Sequence, residues 1–124
     1  MPKFDIQDRL IDFSVELIKT LDHLPNTVIG KYLKGQLSRS GTSPALNYAE
    51  ACDAESRKDF IHKIKIVLKE LRETFVGLKI IQKLELMDQR KIICLSKECD
   101  ELIAILKKSH STAKQNMQRT NIKR

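Results

Sequence analysis

The sequence predicts an all-α protein, an antiparallel up-down four-helix bundle whose second helix is kinked near Pro44. Three observations support this fold class. The chain has 124 residues, the size of a single domain. It holds only three Pro, four Gly and 5% aromatic residues, too few turn-forming residues for the many connections of an all-β fold. Its apolar residues recur at the spacing of amphipathic helices.

The first predicted helix spans residues 5–23. Apolar side chains recur along one side of it, at Ile6, Leu10, Phe13, Leu17, Leu21 and Leu24. Pro25 ends this helix, because proline disfavours helical conformation in the residue before it. Asn26 or Thr27 can then cap the helix that follows.

The second predicted helix spans residues 27–52 and contains Pro44. A proline inside a helix lacks the N–H that would bond to the carbonyl four residues earlier, here that of Ser40. Either a kink or a break is therefore expected, and one kinked helix is the favoured prediction. The hydroxyls of Ser40, Thr42 and Ser43 can act as local partners for the freed backbone groups.

The third and fourth predicted helices span residues 55–84 and 88–108. The third carries the longest apolar stripe, at Phe60, Ile64, Val67, Leu68, Leu71, Phe75 and Leu78. The fourth directs apolar side chains inward at Ile92, Leu95, Cys99, Leu102 and Leu106. Because the connections are short, neighbouring helices must run antiparallel. Residues 1–108 are expected to form the bundle.

The net charge of +7 is concentrated at the end of the chain. Residues 107–124 hold six of the 23 Lys and Arg residues and no acid, which leaves 17 basic residues against 16 acids in the body. This last segment is polar and lacks apolar periodicity. We therefore predict that residues 109–124 form a basic, disordered tail.

Several classes of protein are disfavoured. The chain has an odd number of cysteines, Cys52, Cys94 and Cys99, and no CxxC pair, a pattern that disfavours both a disulfide framework and a zinc site. Reduced thiols, as in cytoplasmic proteins, are therefore expected. Acids at Asp5 and Asp8 fall where a signal peptide would be apolar, and no apolar run is long enough to span a membrane. No Glu stands three residues before a His, as di-iron bundles require, so no metal or other cofactor is predicted.

One side of the third helix carries a row of basic residues, which we call the basic face. Its members recur at helical spacing, at Lys58, His62, Lys65, Lys69, Arg72, Lys79 and Lys83. One interpretation is contact with the phosphates of RNA or DNA. The alternative is a solvated face, partly paired with Glu55, Glu73 and the acids of the first helix (Asp5, Asp8, Asp12 and Glu16). Aromatic residues that would stack single-stranded bases are missing from the row.

A second group of polar residues lies on one side of the second helix, at Arg39, Ser43, Asn47 and Glu50. We predict a structural, partly buried hydrogen-bond network beside Pro44, since buried polar groups are usually paired. A catalytic role is the weaker interpretation. The three histidines are far apart in sequence, and no pairing of a base with a nucleophile is apparent.

The stretch from Arg39 to Thr74 resembles the bacterial four helix bundle protein family. The resemblance is carried by Arg39-Ser40-Gly41-Thr42-Ser43, Asn47-Tyr48-Ala49-Glu50-Ala51, Ala54 to Lys63, Leu68-Lys69-Glu70 and Arg72-Glu73-Thr74, and the helical layout extends it over residues 4–108. The sequence departs from the family at Phe75-Val76-Gly77-Leu78, where relatives often carry an aromatic pair. The family comprises proteins encoded in intervening sequences of 23S ribosomal RNA genes, together with free-standing relatives.

The resemblance implies a bundle that assembles into a ring, a homopentamer. It also implies relatives that act as accessory subunits of reverse transcriptases in diversity-generating systems and bind nucleic acid through basic surfaces. It supplies no active site.

The sequence therefore predicts a cytoplasmic, non-enzymatic homo-oligomer that binds RNA or a ribonucleoprotein partner through the basic face of the third helix and the basic residues of the tail. Its partners would be further copies of itself and RNA, DNA or a nucleic-acid-handling protein, with no membrane and no small-molecule substrate. The alternative is a scaffold without nucleic-acid affinity, whose basic face is neutralised between subunits.

Overall fold

The computed structural model describes residues 5–122, with side chains to Arg119, and consists of four helices. These are α1 (Ile6–Leu21), α2 (Val28–Cys52), α3 (Arg57–Leu84) and α4 (Gln89–Ile122). No strand occurs within residues 5–122. The prediction of an all-α four-helix bundle is confirmed.

Side chains from the preceding loop residues cap the first three helices. The carboxylate of Asp5 accepts hydrogen bonds from the first backbone amides of α1, and the hydroxyl of Thr27 accepts from Gly30 N at 3.1 Å. Ser56 caps α3 in the same way, through Asp59 N at 3.0 Å. Each cap satisfies an amide that has no partner within its own helix, so the polar residues between the apolar segments determine where the helices begin.

The helices follow one another around the bundle. Each packs against the next in chain order and α4 packs back against α1, whereas the backbones of α1 and α3 do not approach each other. They therefore occupy diagonally opposite corners. The large side chains that fill the centre are Leu10, Leu17, Leu21, Leu37, Ile64, Val67, Leu71, Leu78, Ile81, Ile92, Leu102 and Leu106.

Helix α2 runs through Pro44 as a single helix, which excludes a break; the kink stays a prediction. Two carbonyls near the proline accept side-chain donors from α1. Ser14 donates its hydroxyl to Gly41 O at 2.9 Å, and Gln7 donates Nε2 to Ala45 O at 3.0 Å. Thr42 donates within α2 to Ser38 O at 2.8 Å. Part of the hydrogen bonding around Pro44 is thus supplied by the neighbouring helix.

Close approach between helices depends on two glycines. A Cβ atom at Gly41 would collide with Leu17 of α1, and one at Gly77 would collide with Leu37 of α2. Between α2 and α3, Thr74 donates its hydroxyl to Ser40 Oγ at 2.9 Å in a buried position. The absence of a side chain at each glycine gives a leucine of the facing helix its place in the core.

The prediction of a disordered tail is wrong for residues 109–122, because α4 continues to Ile122. Residues 123–124 lie outside the described part of the chain. Extending an existing helix avoids the cost of nucleation, and no Pro or Gly interrupts residues 109–122. The side chains of Ala113 and Met117 are partly buried beside the end of the bundle. The polar composition of residues 109–122 did not indicate that this segment lies beside the bundle.

Candidate nucleic-acid interface

The basic face lies on the side of α3 that points away from the core. All seven members are exposed, whereas Leu71 and Leu78 are fully buried on the opposite side of the helix. At a rise of 1.5 Å per residue, the row from Lys58 to Lys83 extends about 37 Å. Val76, whose exposed fraction is 57%, lies within the row. The sequence therefore places seven basic side chains on one long solvent-facing surface.

Within residues 5–119, no member of the basic face forms an ion pair. Glu73, a partner considered from sequence, instead accepts a hydrogen bond from Arg39 at 2.8 Å. That bond lowers the pKa of the Glu73 carboxyl group. The ammonium of Lys79 lies 5.2 Å from the ring centre of Phe75. The positive charge of the basic face is therefore not neutralised by acids within residues 5–119 and can interact with solvent ions or with a partner.

The acids of α1 do not neutralise the basic face within one chain. Asp5, Asp8, Asp12 and Glu16 recur on one exposed side of α1, which we call the acidic face. Because α1 and α3 lie at diagonal corners, the two faces are on opposite sides of the bundle. The pKa of Asp8 is raised, chiefly by the charge of Asp5, as crowded carboxylates require. A single chain thus presents one acidic and one basic side.

The four polar residues of α2 do not form one connected network. Asn47 donates Nδ2 to Ser43 Oγ at 2.9 Å and to Ser43 O at 3.0 Å, both within α2. Arg39, which is exposed, instead bonds to Glu70 at 3.0 Å and to Glu73. Glu50 lies 3.7 Å from the ammonium of Lys63. Two of the four residues therefore join α2 to α3 near its surface.

Sequence reasoning missed an ionic contact between α1 and α4. The guanidinium of Arg9 donates to both carboxylate oxygens of Glu98, at 2.8 and 2.7 Å, and also lies 2.8 Å from Glu101. These bonds raise the pKa of Arg9. No sequence signal marks this triad, since the pairing depends on which side of α4 packs against α1.

Beside this triad, α1 and α4 leave an open groove of about 850 Å³. Phe13 and Leu95 contribute apolar surface, and acids and bases of both helices line the rest, including Glu16 and Lys91. Mixed charge of this kind has no preference for a polyanion. The groove is therefore a poorer nucleic-acid site than the basic face.

No group of His, Cys, Asp and Glu side chains within the described residues could hold a metal ion. The same part of the chain contains no helix that is both long and apolar enough to cross a membrane. Cys52 and Cys94 are exposed and Cys99 is buried, and all three are free thiols.

Comparison with known proteins supports the resemblance carried by Arg39 to Thr74. The family model described as "23S rRNA-intervening sequence protein" matches residues 2–108. A crystal structure of a protein of unknown function from the S23 ribosomal protein family of Bacteroides thetaiotaomicron VPI-5482 is 31% identical. The alignment covers 82% of this chain and 94% of that one, with a TM-score of 0.73. No curated protein matches the sequence. The chain belongs to the 23S rRNA-intervening sequence protein family.

Proposed function

We propose that the protein is a non-enzymatic homo-oligomer that binds RNA, or a ribonucleoprotein partner, through the basic face of α3. The observation that carries the proposal is that the basic face is exposed and not neutralised by acids within the described part of the chain. Its seven members are exposed, and within residues 5–119 none is paired with an acid. Unpaired cations in a row suit a polyanion, because each neutralised phosphate releases condensed counterions.

Structured RNA suits this surface better than a protein ligand of mixed charge. The row extends about 37 Å along α3, so several phosphates can be contacted at once. Acids do not interrupt it, since Glu70 and Glu73 bond with Arg39 on the side of α3 that faces α2. Such contacts position a nucleic acid without reading its bases.

The homo-oligomer is proposed from an apolar row that a single chain leaves exposed on α1, at Ile11, Val15 and Ile18. A neighbouring copy that covers this row removes apolar surface from water and leaves the basic face of α3, at the diagonal corner, free for RNA. Repetition of one such contact around an axis closes into a ring. We propose a pentamer as the closed form.

Charge complementarity between the acidic face of one copy and the basic face of another favours a second candidate function. If the acidic face of a neighbour covers the basic face, the protein is a scaffold with no affinity for nucleic acid. The unneutralised repulsion around Asp8 favours such pairing, because a cationic neighbour would relieve it. The two candidates differ in what the basic face contacts.

Charge reversal on the basic face tests both candidates. Lys65→Glu, Lys69→Glu and Arg72→Glu together should abolish binding of structured RNA, and binding by the unaltered protein should weaken steeply as salt rises. The matched control reverses three other exposed lysines, Lys31, Lys91 and Lys97, which leaves the same net charge. Binding is measured by fluorescence anisotropy, and helix content by circular dichroism.

Subunit assembly provides the discriminating measurement. A native mass spectrum, recorded with and without RNA, reports stoichiometry and ligand together. If the basic face is an assembly surface, the triple variant dissociates the oligomer, and light scattering reports the lower mass. Equal RNA affinity of the triple variant and the unaltered protein would contradict the assignment of the basic face as the RNA-binding surface.

A further inference from the structure

Helix α4 extends beyond the family-matched residues and lies beside the start of the basic face. The match ends at Lys108, whereas α4 continues to Ile122. This added segment, residues 109–122, contains basic residues and no acid. Because α3 and α4 are antiparallel neighbours, the first turns of α3 lie next to the segment that follows Leu106. The added segment of α4, which we call the extension, therefore lies beside the first residues of the basic face, and both are positively charged.

One hydrogen bond and one shared groove place the extension beside the bundle. Arg57, the first residue of α3, donates Nη1 to Asn116 O at 3.0 Å. Ala113 and Met117 line a groove that Phe60 of α3 and Ala51 of α2 also line. The apolar side of the extension is thereby turned toward the bundle, and its basic side chains remain exposed.

The register of α4 shows which side of the extension faces α3. Cys99 of α4 donates Sγ to Leu71 O of α3 at 3.3 Å. His110 follows Cys99 by eleven residues, about three helical turns, and Lys114 follows one turn later, so both lie on the side of α4 that faces α3. Partial burial, and then the charges of Lys114 and of Lys65 of α3, lower the pKa of His110, in agreement with this placement. Lys107 precedes Lys114 by seven residues, two helical turns, so it shares that side of α4.

We propose that the start of α3 and the extension of α4 form one two-helix basic platform that binds the phosphate backbone of duplex nucleic acid. This inference rests on the proposed function and adds a second helix to it. The platform consists of Lys58, His62, Lys65, Lys107, His110 and Lys114. Two adjacent helix axes lie about 8–10 Å apart, so the platform is a surface of some width rather than a single line of charge.

The chemistry of the platform favours a duplex over a single strand. Single-strand sites stack bases on exposed aromatic rings. The nearest ring of α3, that of Phe60, is partly buried in the groove below the extension. A duplex presents its phosphates outward on a fixed surface, and contacts to them need no stacking.

The same arrangement argues against an anionic membrane surface. A helix that binds in the plane of a membrane inserts an apolar side between the lipids. In the extension, that side is Ala113 and Met117, which are turned toward the bundle. Only electrostatic attraction would then hold the extension on a membrane. The test below therefore distinguishes binding to vesicles from binding to duplexes.

The test neutralises the two lysines of the extension that face α3. Lys107→Gln with Lys114→Gln should weaken binding to an RNA duplex of about 20 base pairs by about tenfold. The slope of log K against log salt should fall by about 1 to 2. The matched control, Lys108→Gln with Arg119→Gln, removes the same charge from another side of the same extension. It should change the affinity less than about twofold.

The comparison ligands are a DNA duplex of the same sequence, the single RNA strand, and vesicles containing an anionic phospholipid. We expect both duplexes to bind more tightly than the single strand. Equal losses in the test and control pairs would show a diffuse charge effect and overturn the platform. Tighter binding to the single strand, or binding to vesicles without binding to duplexes, would overturn it as well.

The platform and the proposed function can fail separately. If the α3 triple variant abolishes duplex binding while the Lys107/Lys114 pair has no effect, the platform is wrong and the basic face alone binds RNA. If the unaltered protein binds no nucleic acid at low salt, both proposals fail. Circular dichroism of each variant ensures that a loss of binding is not a loss of helix.

Discussion

The interface between α2 and α3 and the interface between α1 and α4 hold the same bundle together by different means. Between α2 and α3, Leu37 occupies the space above Gly77, and the hydroxyls of Ser40 and Thr74 are bonded in a buried position. Between α1 and α4, the bidentate bond of Arg9 to Glu98 lies beside an open groove of about 850 Å³. The first interface is interlocked, whereas the second carries an ionic contact at its surface beside the open groove.

This difference indicates where the molecule can tolerate change. Interlocked apolar packing contributes in proportion to the area removed from water and is weakly affected by salt. Partly exposed ion pairs contribute little and are screened. Leu17 also interlocks α1 with α2 at Gly41, so the contact of α1 with α4 is the one expected to loosen before α2 and α3 separate. The following experiments measure this order.

Truncation of the interlocking leucine has the largest expected effect. Leu37→Ala should lower the free energy of unfolding by about 2–5 kcal/mol, because it leaves a cavity above Gly77. Urea unfolding followed by circular dichroism, at one fixed protein concentration, measures the loss. The control is Leu46→Ala on the same helix, where the side chain is 67% exposed. A loss there comparable to that at Leu37 would contradict the packing described.

The glycine on the other side of this contact should show the converse effect. Gly77→Ala should destabilise by about 1–3 kcal/mol through overpacking against Leu37. The same substitution at Gly35, where a Cβ meets no neighbour, should stabilise by about 0.5–1 kcal/mol through helix propensity. In a Leu37→Ala background, the cost of Gly77→Ala should disappear. Additive costs would show that the two residues are not coupled.

Removal of the ionic contact should have a smaller and more local effect. Arg9→Gln is expected to cost about 1 kcal/mol, because the Arg9 and Glu98 side chains are 23% and 31% exposed. Amide hydrogen exchange should become faster in α1 and remain unchanged in α2 and α3. Lys34→Gln, which breaks a more exposed pair with Asp22, should cost less. Faster exchange throughout the bundle would mean that α1 does not open separately.

The thiols of α4 report the two sides of that helix without altering its stability. Cys94 lines the open groove, whereas Cys99 is buried and donates Sγ to Leu71 O at 3.3 Å. Burial raises the pKa of Cys99 to about 12, so it stays a neutral thiol at pH 8. Maleimide should label Cys94 in minutes and Cys99 only as the bundle unfolds, as peptide mass mapping can show. Rapid labelling of Cys99 would contradict the close packing of α4 against α3.

The sequence predicted the helices and the basic face because both depend on local spacing. The apolar period places Leu71 and Leu78 inward, and the same period places Lys65 and Lys69 outward. Contacts between helices could not be read in this way. The pairing of Arg9 with Glu98 joins residues 89 positions apart, and no pattern along either helix specifies it.

The sequence alone determined the fold class, the family and the presence of a basic row, since periodicity and motif are properties of consecutive residues. Only the tertiary structure decided that the acidic face of α1 lies across the bundle from the basic face of α3, so that neither neutralises the other within one chain. It also decided that residues 109–122 are helical beside the start of α3. The physical reason is the same in both cases. Whether two charged or polar groups interact depends on the distance between them, and the packing of the helices sets that distance.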